Sequence, residues 1–110
     1  MKKVIVLFIT LMLVFAAVNI NAESLKTRCE VVAKLGGEIM IRRQAGVPKH
    51  KTKEWIKKVF EDSPAEARNY WASAVDKAYL ADIKHSKNKK ERIIENFKSD
   101  YFEMCMNTLE

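Results

Sequence analysis

The residues with chemistry to offer are Cys29 and Cys105, the histidines His50 and His85, and a surplus of lysine and arginine gathered in two short segments. Two distant cysteines in a short chain stay reduced in a cytosol and close into a bridge in an oxidising compartment. No Cys-x-x-Cys pair of the kind used by thiol redox catalysts is present. Each histidine has lysine beside it, which disfavours a bound cation, and neither joins a cluster of cysteines and carboxylates at metal-ligand spacing. There is no recognisable serine–histidine arrangement and no glycine-rich phosphate loop. The expectation is a binding protein, not an enzyme, with no cofactor and no metal.

Whether the cysteines pair depends on where the chain goes, and the N-terminus speaks to that. Met1, Lys2 and Lys3 open with positive charge, residues 4–18 form an apolar run interrupted only by Thr10, and Asn21, Ala22 and Glu23 end it. This is the three-part layout of a secretory signal. Cleavage is expected after Ala22, giving a signal peptide over 1–22 and a single helical domain over 23–110. The rival reading is a retained anchor, against which the run is shorter than the roughly 20 apolar residues that span a bilayer. No cysteine directly follows the run to carry a lipid. The expected destination is the periplasm or beyond.

A domain of this size buries too little surface for a wide margin of stability. A bridge from Cys29 to Cys105, closing a loop of about 75 residues, would add roughly 4 kcal/mol through the unfolded state. The alternative is a pair of unbridged core thiols.

The elements that position these residues read as helices throughout. Leu25, Cys29, Val32, Ile39 and Met40 recur at threes and fours, as a buried helical stripe requires. Gly36 and Gly37 interrupt this stripe, so either another helix comes unusually close there or the helix bends. Gly46 is the expected left-handed cap, with Val47 and Pro48 turning the chain away. Thr52 is the expected N-cap of a short second helix carrying Trp55, Ile56, Val59 and Phe60. Ser63-Pro64-Ala65-Glu66 has the layout of a capping box. It would open a third helix with Ala67, Trp71, Ala74, Ala78 and Ala81 on one face, flanked by Tyr70, Val75 and Leu80. Asn88 and Glu91 signal the start of the last helix, where Ile94, Phe97, Tyr101, Met104 and Cys105 fall in register. The expected fold is all-α, a small bundle of four helices (one short) stapled by one disulfide.

That bridge would set the first and last helices antiparallel. Gly46 and Asn88 each lie about 25 Å from it at the helical rise, so the turns beside them should meet at one pole. The charge is concentrated there. Residues 42–58 hold Arg42, Arg43, Lys49, Lys51, Lys53, Lys57 and Lys58 against Glu54, a net +6. Residues 84–92 hold Lys84, Lys87, Lys89, Lys90 and Arg92 against Glu91, a net +4. The whole chain is +6, or +4 without Lys2 and Lys3, so the rest of the 23–110 domain sums to −6.

Solubility is the plain explanation, aided by Arg42 and Arg43 at a helix C-terminus. Lys87, Lys89 and Lys90 stand instead at a helix N-terminus, where cations are unfavourable, so local helix stability does not account for them. The functional reading is contact with an acidic protein or an anionic envelope component through Arg42, Arg43, Lys49, Lys51, Lys53, Lys84, Lys87, Lys89, Lys90 and Arg92. Nucleic acid is excluded as the expected partner by the compartment and by the absence of interleaved aromatics.

Cys29, the segment Arg43-Gln44-Ala45-Gly46, the aromatic residues Phe97 to Phe102 and Cys105 together resemble a group of short exported helical proteins of bacteria and their phages. In that group an early cysteine opens a helix ending in Arg-Gln-x-Gly, and a second cysteine follows an aromatic-rich helix. The resemblance implies an exported helical protein with a bridge and supplies no activity. A coarser, architectural similarity is to the periplasmic acid-stress chaperones, whose cysteines lie farther from the two ends. The expected role is an inhibitor or immunity-type factor. The alternatives are a stress chaperone and a peripheral binder of anionic lipid, and the sequence does not give the oligomeric state.

Overall fold

The structure is a computed structural model and describes residues 22–109. The expected signal segment therefore lies outside the described residues, apart from Ala22 at its boundary. Four helices follow one another: α1 (Ala22–Gln44), α2 (Lys49–Val59), α3 (Ala65–Ala78) and α4 (Lys87–Leu109). Among the described residues there is no strand, and no helix is long and apolar enough to cross a membrane.

The long helices α1 and α4 lie side by side, joined by a disulfide between Cys29 and Cys105 with Cα atoms 5.5 Å apart. Their register is antiparallel along the whole length. Cys29 meets Cys105, Gly36 meets Tyr101, Gly37 meets Lys98, and the Gln44 carbonyl meets the Lys90 ammonium. The paired glycines mark the close approach. A Cβ on Gly36 would lie 3.2 Å from the Tyr101 ring, and one on Gly37 would lie 2.5 Å from Cγ of Lys98. The helix runs on through both positions, so it is the neighbour's proximity, not a bend, that accounts for them.

The centre of the molecule is an aromatic cluster. Trp71, wholly buried on α3, stacks against both Phe60 and Tyr101 of α4, with ring centroids 5.9 and 5.7 Å away. Phe97 tilts against Tyr101, and Tyr70 meets both Trp71 and Tyr101 edge-on. Burial raises the Tyr70 hydroxyl to about 12 and pushes that of Tyr101 higher still, so both stay neutral at any ordinary pH. Around the rings pack Ile39 and Met40 of α1, Ile56 of α2, and Ala74, Val75 and Ala78 of α3. The small residues Ala67, Ala74 and Ala78 are all buried, which lets α3 lie close against its neighbours.

Several helix ends differ from their sequence expectation. Helix α2 begins at Lys49 after Pro48, not at Thr52, because the Pro48 carbonyl accepts the amides of Lys51 and Thr52. Thr52 is instead buried, with a task described below. Ser63 makes no side-chain cap: Pro64 precedes α3, its carbonyl accepts the amides of Ala67 and Arg68, and the Arg68 guanidinium donates to the Ser63 carbonyl. Helix α3 stops at Ala78, so Ala81 lies beyond it and Leu80 is 85% exposed. Helix α4 starts at Lys87, its cap being the Ser86 hydroxyl, which accepts the Lys89 amide. Gly46, at φ 81°, closes α1 as expected.

The close contacts carry a test. Gly36→Val drives a branched side chain into Tyr101, which Trp71, Phe97 and Tyr70 hold in place, and is expected to cost about 1–3 kcal/mol or more. Gly37→Ala meets Cγ and Cδ of Lys98, at 2.5 and 2.8 Å, so that side chain must change rotamer, a cost set against the helix propensity gained, up to about 1 kcal/mol. Thermal melts should therefore rank Gly36→Val well below Gly37→Ala, and equal melting points would mean that α1 and α4 are farther apart than described. Ala74→Leu should likewise lower stability by about 1–3 kcal/mol; an unchanged melt would place that face in solvent.

Candidate functional site

At the far end of α1 from the bridge, the chain makes a knot of side-chain-to-backbone bonds with Gln44 at its middle. Gln44 is 3% exposed, the only buried side chain on the described part of α1 with an amide. Its Nε2 donates to the Asp82 carbonyl at 2.9 Å, and its Oε1 accepts the Lys84 amide at 2.8 Å. One primary amide thus pairs with the backbone of the segment after α3 as a strand partner would. The Gln44 carbonyl, left open at the helix end, accepts from Lys90 Nζ of α4 at 2.7 Å. Arg43 Nε donates to the Ala81 carbonyl at 2.9 Å, and its guanidinium lies 5.2 Å from the Tyr79 ring.

A second chain of bonds ties the start of α2 into the same end. The Tyr79 hydroxyl donates to the Val47 carbonyl at 2.7 Å. Having spent its proton there, it accepts from the buried Thr52 hydroxyl, also at 2.7 Å. The turn after α1, the segment after α3 and the first turn of α4 therefore meet at one pole. Helix α3 closes in i→i+3 turns, the Leu80 amide on the Lys77 carbonyl and the Ala81 amide on the Ala78 carbonyl, and the carbonyls of Ala81 and Asp82 and the amide of Lys84 beyond it go to α1.

The ten cations expected to form a partner surface divide into two sets. Five are engaged within the molecule. Arg42 lies 3.9 Å from the centre of the Trp55 ring, and Arg43 and Lys90 hold backbone carbonyls. Lys49 and Lys53 both pair with Asp76 of α3, at 2.9 and 2.8 Å. The hydrogen bond from Lys53, then that from Lys49, holds the Asp76 carboxyl below its ordinary range. The other five, Lys51, Lys84, Lys87, Lys89 and Arg92, make no ion pair among the described residues.

Four of that second set are neighbours. Lys84, Ser86, His85 and Lys89 line an open hollow of about 650 Å³ with Asp82 and Ile83. Lys84, Lys89 and Arg92 line an adjoining hollow of about 420 Å³ with Ile93 and Asn96. Lys87 opens α4, which carries Lys89 and Arg92. Helix α2 runs back along α1, Trp55 lying by Arg42 and Val59 by Leu35, so Lys57 and Lys58 stand away from this pole. Among the described residues no group of three or more His, Cys, Asp or Glu side chains could hold a metal ion.

Gln44, Thr52 and Tyr79 were not singled out from sequence as site residues. The signal for Gln44 was present: it falls four residues after Met40, on the buried stripe, where a polar side chain needs partners. Tyr79 carried no comparable mark.

No protein-family model, curated protein or solved structure matches this chain.

Two measurements check the pole. Gln44→Leu keeps the volume but strands the Asp82 carbonyl and the Lys84 amide, each worth about 1–3 kcal/mol when buried without a partner. Because both bonds are only partly buried, it should lower stability by about 1–3 kcal/mol in denaturant melts, and a change below about 0.5 kcal/mol would show these bonds are not made. The Asp76 group has a lowered folded pKa, so its stabilisation is present above the unfolded-chain value and is lost as pH falls through the folded value. Asp76→Asn should cost about 0.2–1 kcal/mol at neutral pH, as a half-exposed pair, and nothing once both forms are protonated. A deficit that persisted in strong acid would remove the ion pair as its cause.

Proposed function

We propose that this chain is an exported small binding protein, an inhibitor or immunity-type factor that contacts an acidic macromolecule through the pole formed by Lys84, Lys87, Lys89 and Arg92, with Lys51 at its margin. The observation that carries this reading is the division of the cations. Those bonded internally hold the pole rigid, and the neighbouring ones make no ion pair, although the Asp82 carboxylate lines the same hollow as Lys84 and Lys89. A rigid cationic surface loses little side-chain and loop freedom on binding, which favours affinity for a fixed partner. Lys87 and Lys89 stand in the first turn of α4, where the helix dipole opposes them. Their placement costs the helix something and is offset by an anionic partner.

Export rests on the leader-like residues 1–22 and on the bridge, which fits an oxidising compartment. The resemblance to short exported helical proteins points the same way.

The test is affinity capture from a native periplasmic extract, comparing wild type with a variant in which Lys84, Lys87, Lys89 and Arg92 are reversed to glutamate. Arg42, Arg43 and Lys90 are left untouched, since reversing them would break internal contacts. One stoichiometric acidic protein, lost on reversal and weakened by salt, is the expected result. A diffuse set of clients indifferent to the reversal would favour a chaperone. Binding to anionic vesicles with no protein captured would make the partner a lipid surface.

A further inference from the structure

The outward face of α1 has a pattern that reads the same from either end. Thr27, Val31, Lys34, Glu38 and Ile41, with Ala45 in the turn directly after the helix, are all exposed and recur at alternating steps of four and three, the spacing of a helix-pairing seam. Val31 and Ile41 are large apolar residues left 60% and 43% exposed. If the helix is turned end for end about the level of Gly36, Thr27 falls opposite Ala45, Val31 opposite Ile41, and Lys34 opposite Glu38. The small residues meet each other, the large apolar ones meet each other, and each charge meets its opposite.

From this we infer that the α1 face pairs with the α1 face of a second copy of the chain, antiparallel about a two-fold axis at Gly36. Such an isologous contact requires a self-complementary surface, and this palindrome is one. The same face borders an open hollow of about 460 Å³, lined by Val31, Val32, Leu35, Val59, Phe60 and Trp71 with Lys34 and Glu38 at its edge. The two-fold brings Ile41 of the second copy against Val31, at the border of that hollow.

Antiparallel pairing leaves the two basic poles outward at opposite ends of the dimer, so the surface assigned to an acidic partner is not consumed.

The seam is about 27 Å long at the helical rise. A single helix face of that length is smaller than a standard interface of roughly 1,200–2,000 Å². The pairing is therefore weak and reversible, with a Kd in the micromolar range or above.

Sedimentation equilibrium up to about 1 mM protein tests it, using wild type, Lys34→Glu, Glu38→Lys and an equimolar mixture of the two variants. Both substitutions are on the exposed face, and circular dichroism checks that each chain folds. Wild type should form dimers. Each variant alone places like charges at both contacts and should associate about tenfold more weakly. The mixture should associate as well as wild type, because a dimer of one Lys34→Glu chain and one Glu38→Lys chain again sets opposite charges against each other at both contacts. A wild type that is monomeric throughout overturns the inference, as do variants that dimerise unchanged or a mixture that does not recover. Loss of dimers with partner capture intact, or the reverse, separates this surface from the basic pole.

Discussion

The covalent link between Cys29 and Cys105 joins the beginning of α1 to the end of α4, and the contacts between these helices follow from the register it sets. With that register in place, Gly36 faces Tyr101 and the Gln44 carbonyl faces Lys90. The bridge closes a loop of 76 residues, worth about 4 kcal/mol by restriction of the unfolded chain. For a domain this small, that is a large share of a stability of roughly 5–15 kcal/mol. The aromatic cluster supplies the non-covalent core, and both long helices reach it because the glycines allow α4 to sit close.

The far pole shows how a positively charged end can be both structural and available. Charge alone would drive its lysines and arginines apart. Arg42, Arg43, Lys49, Lys53 and Lys90 avoid this by spending their donors on a ring face, on carbonyls that helix ends leave open, and on Asp76. Gln44 then locks the segment after α3 without adding charge. What remains outward is a smaller set, Lys84, Lys87, Lys89 and Arg92, on a framework with little freedom to rearrange. An acidic partner would meet a preformed surface.

The helical pattern, the bridge and the meeting of the two turns were legible in the sequence because each follows from a rule with few exceptions. Apolar residues at threes and fours, a glycine at a helix end and a geometric consequence of joining Cys29 to Cys105 are of this kind. The helix starts were less legible. Thr52 and Ser63 are good N-cap types, yet Pro48 and Pro64 offered their carbonyls first and Thr52 was drawn inward by Tyr79. The division of the cations could not be read at all from charge counts, since it depends on which carbonyls, ring and carboxylate come within reach only after folding. Arg43 and Lys90 look like surface charge in the sequence and are ties in the structure.

The bridge at one end sets the register that builds the pole at the other. Amide hydrogen exchange at Lys84, whose N–H is held by Gln44, reads this directly across the length of the molecule. It would be compared between the oxidised protein and the Cys29→Ser, Cys105→Ser double variant. The expected result is strong protection in the oxidised protein that falls, without the bridge, by an amount matching the loss of global stability, about 4 kcal/mol. Equal protection in both proteins would contradict it and make the pole an independent unit that needs no register from the disulfide.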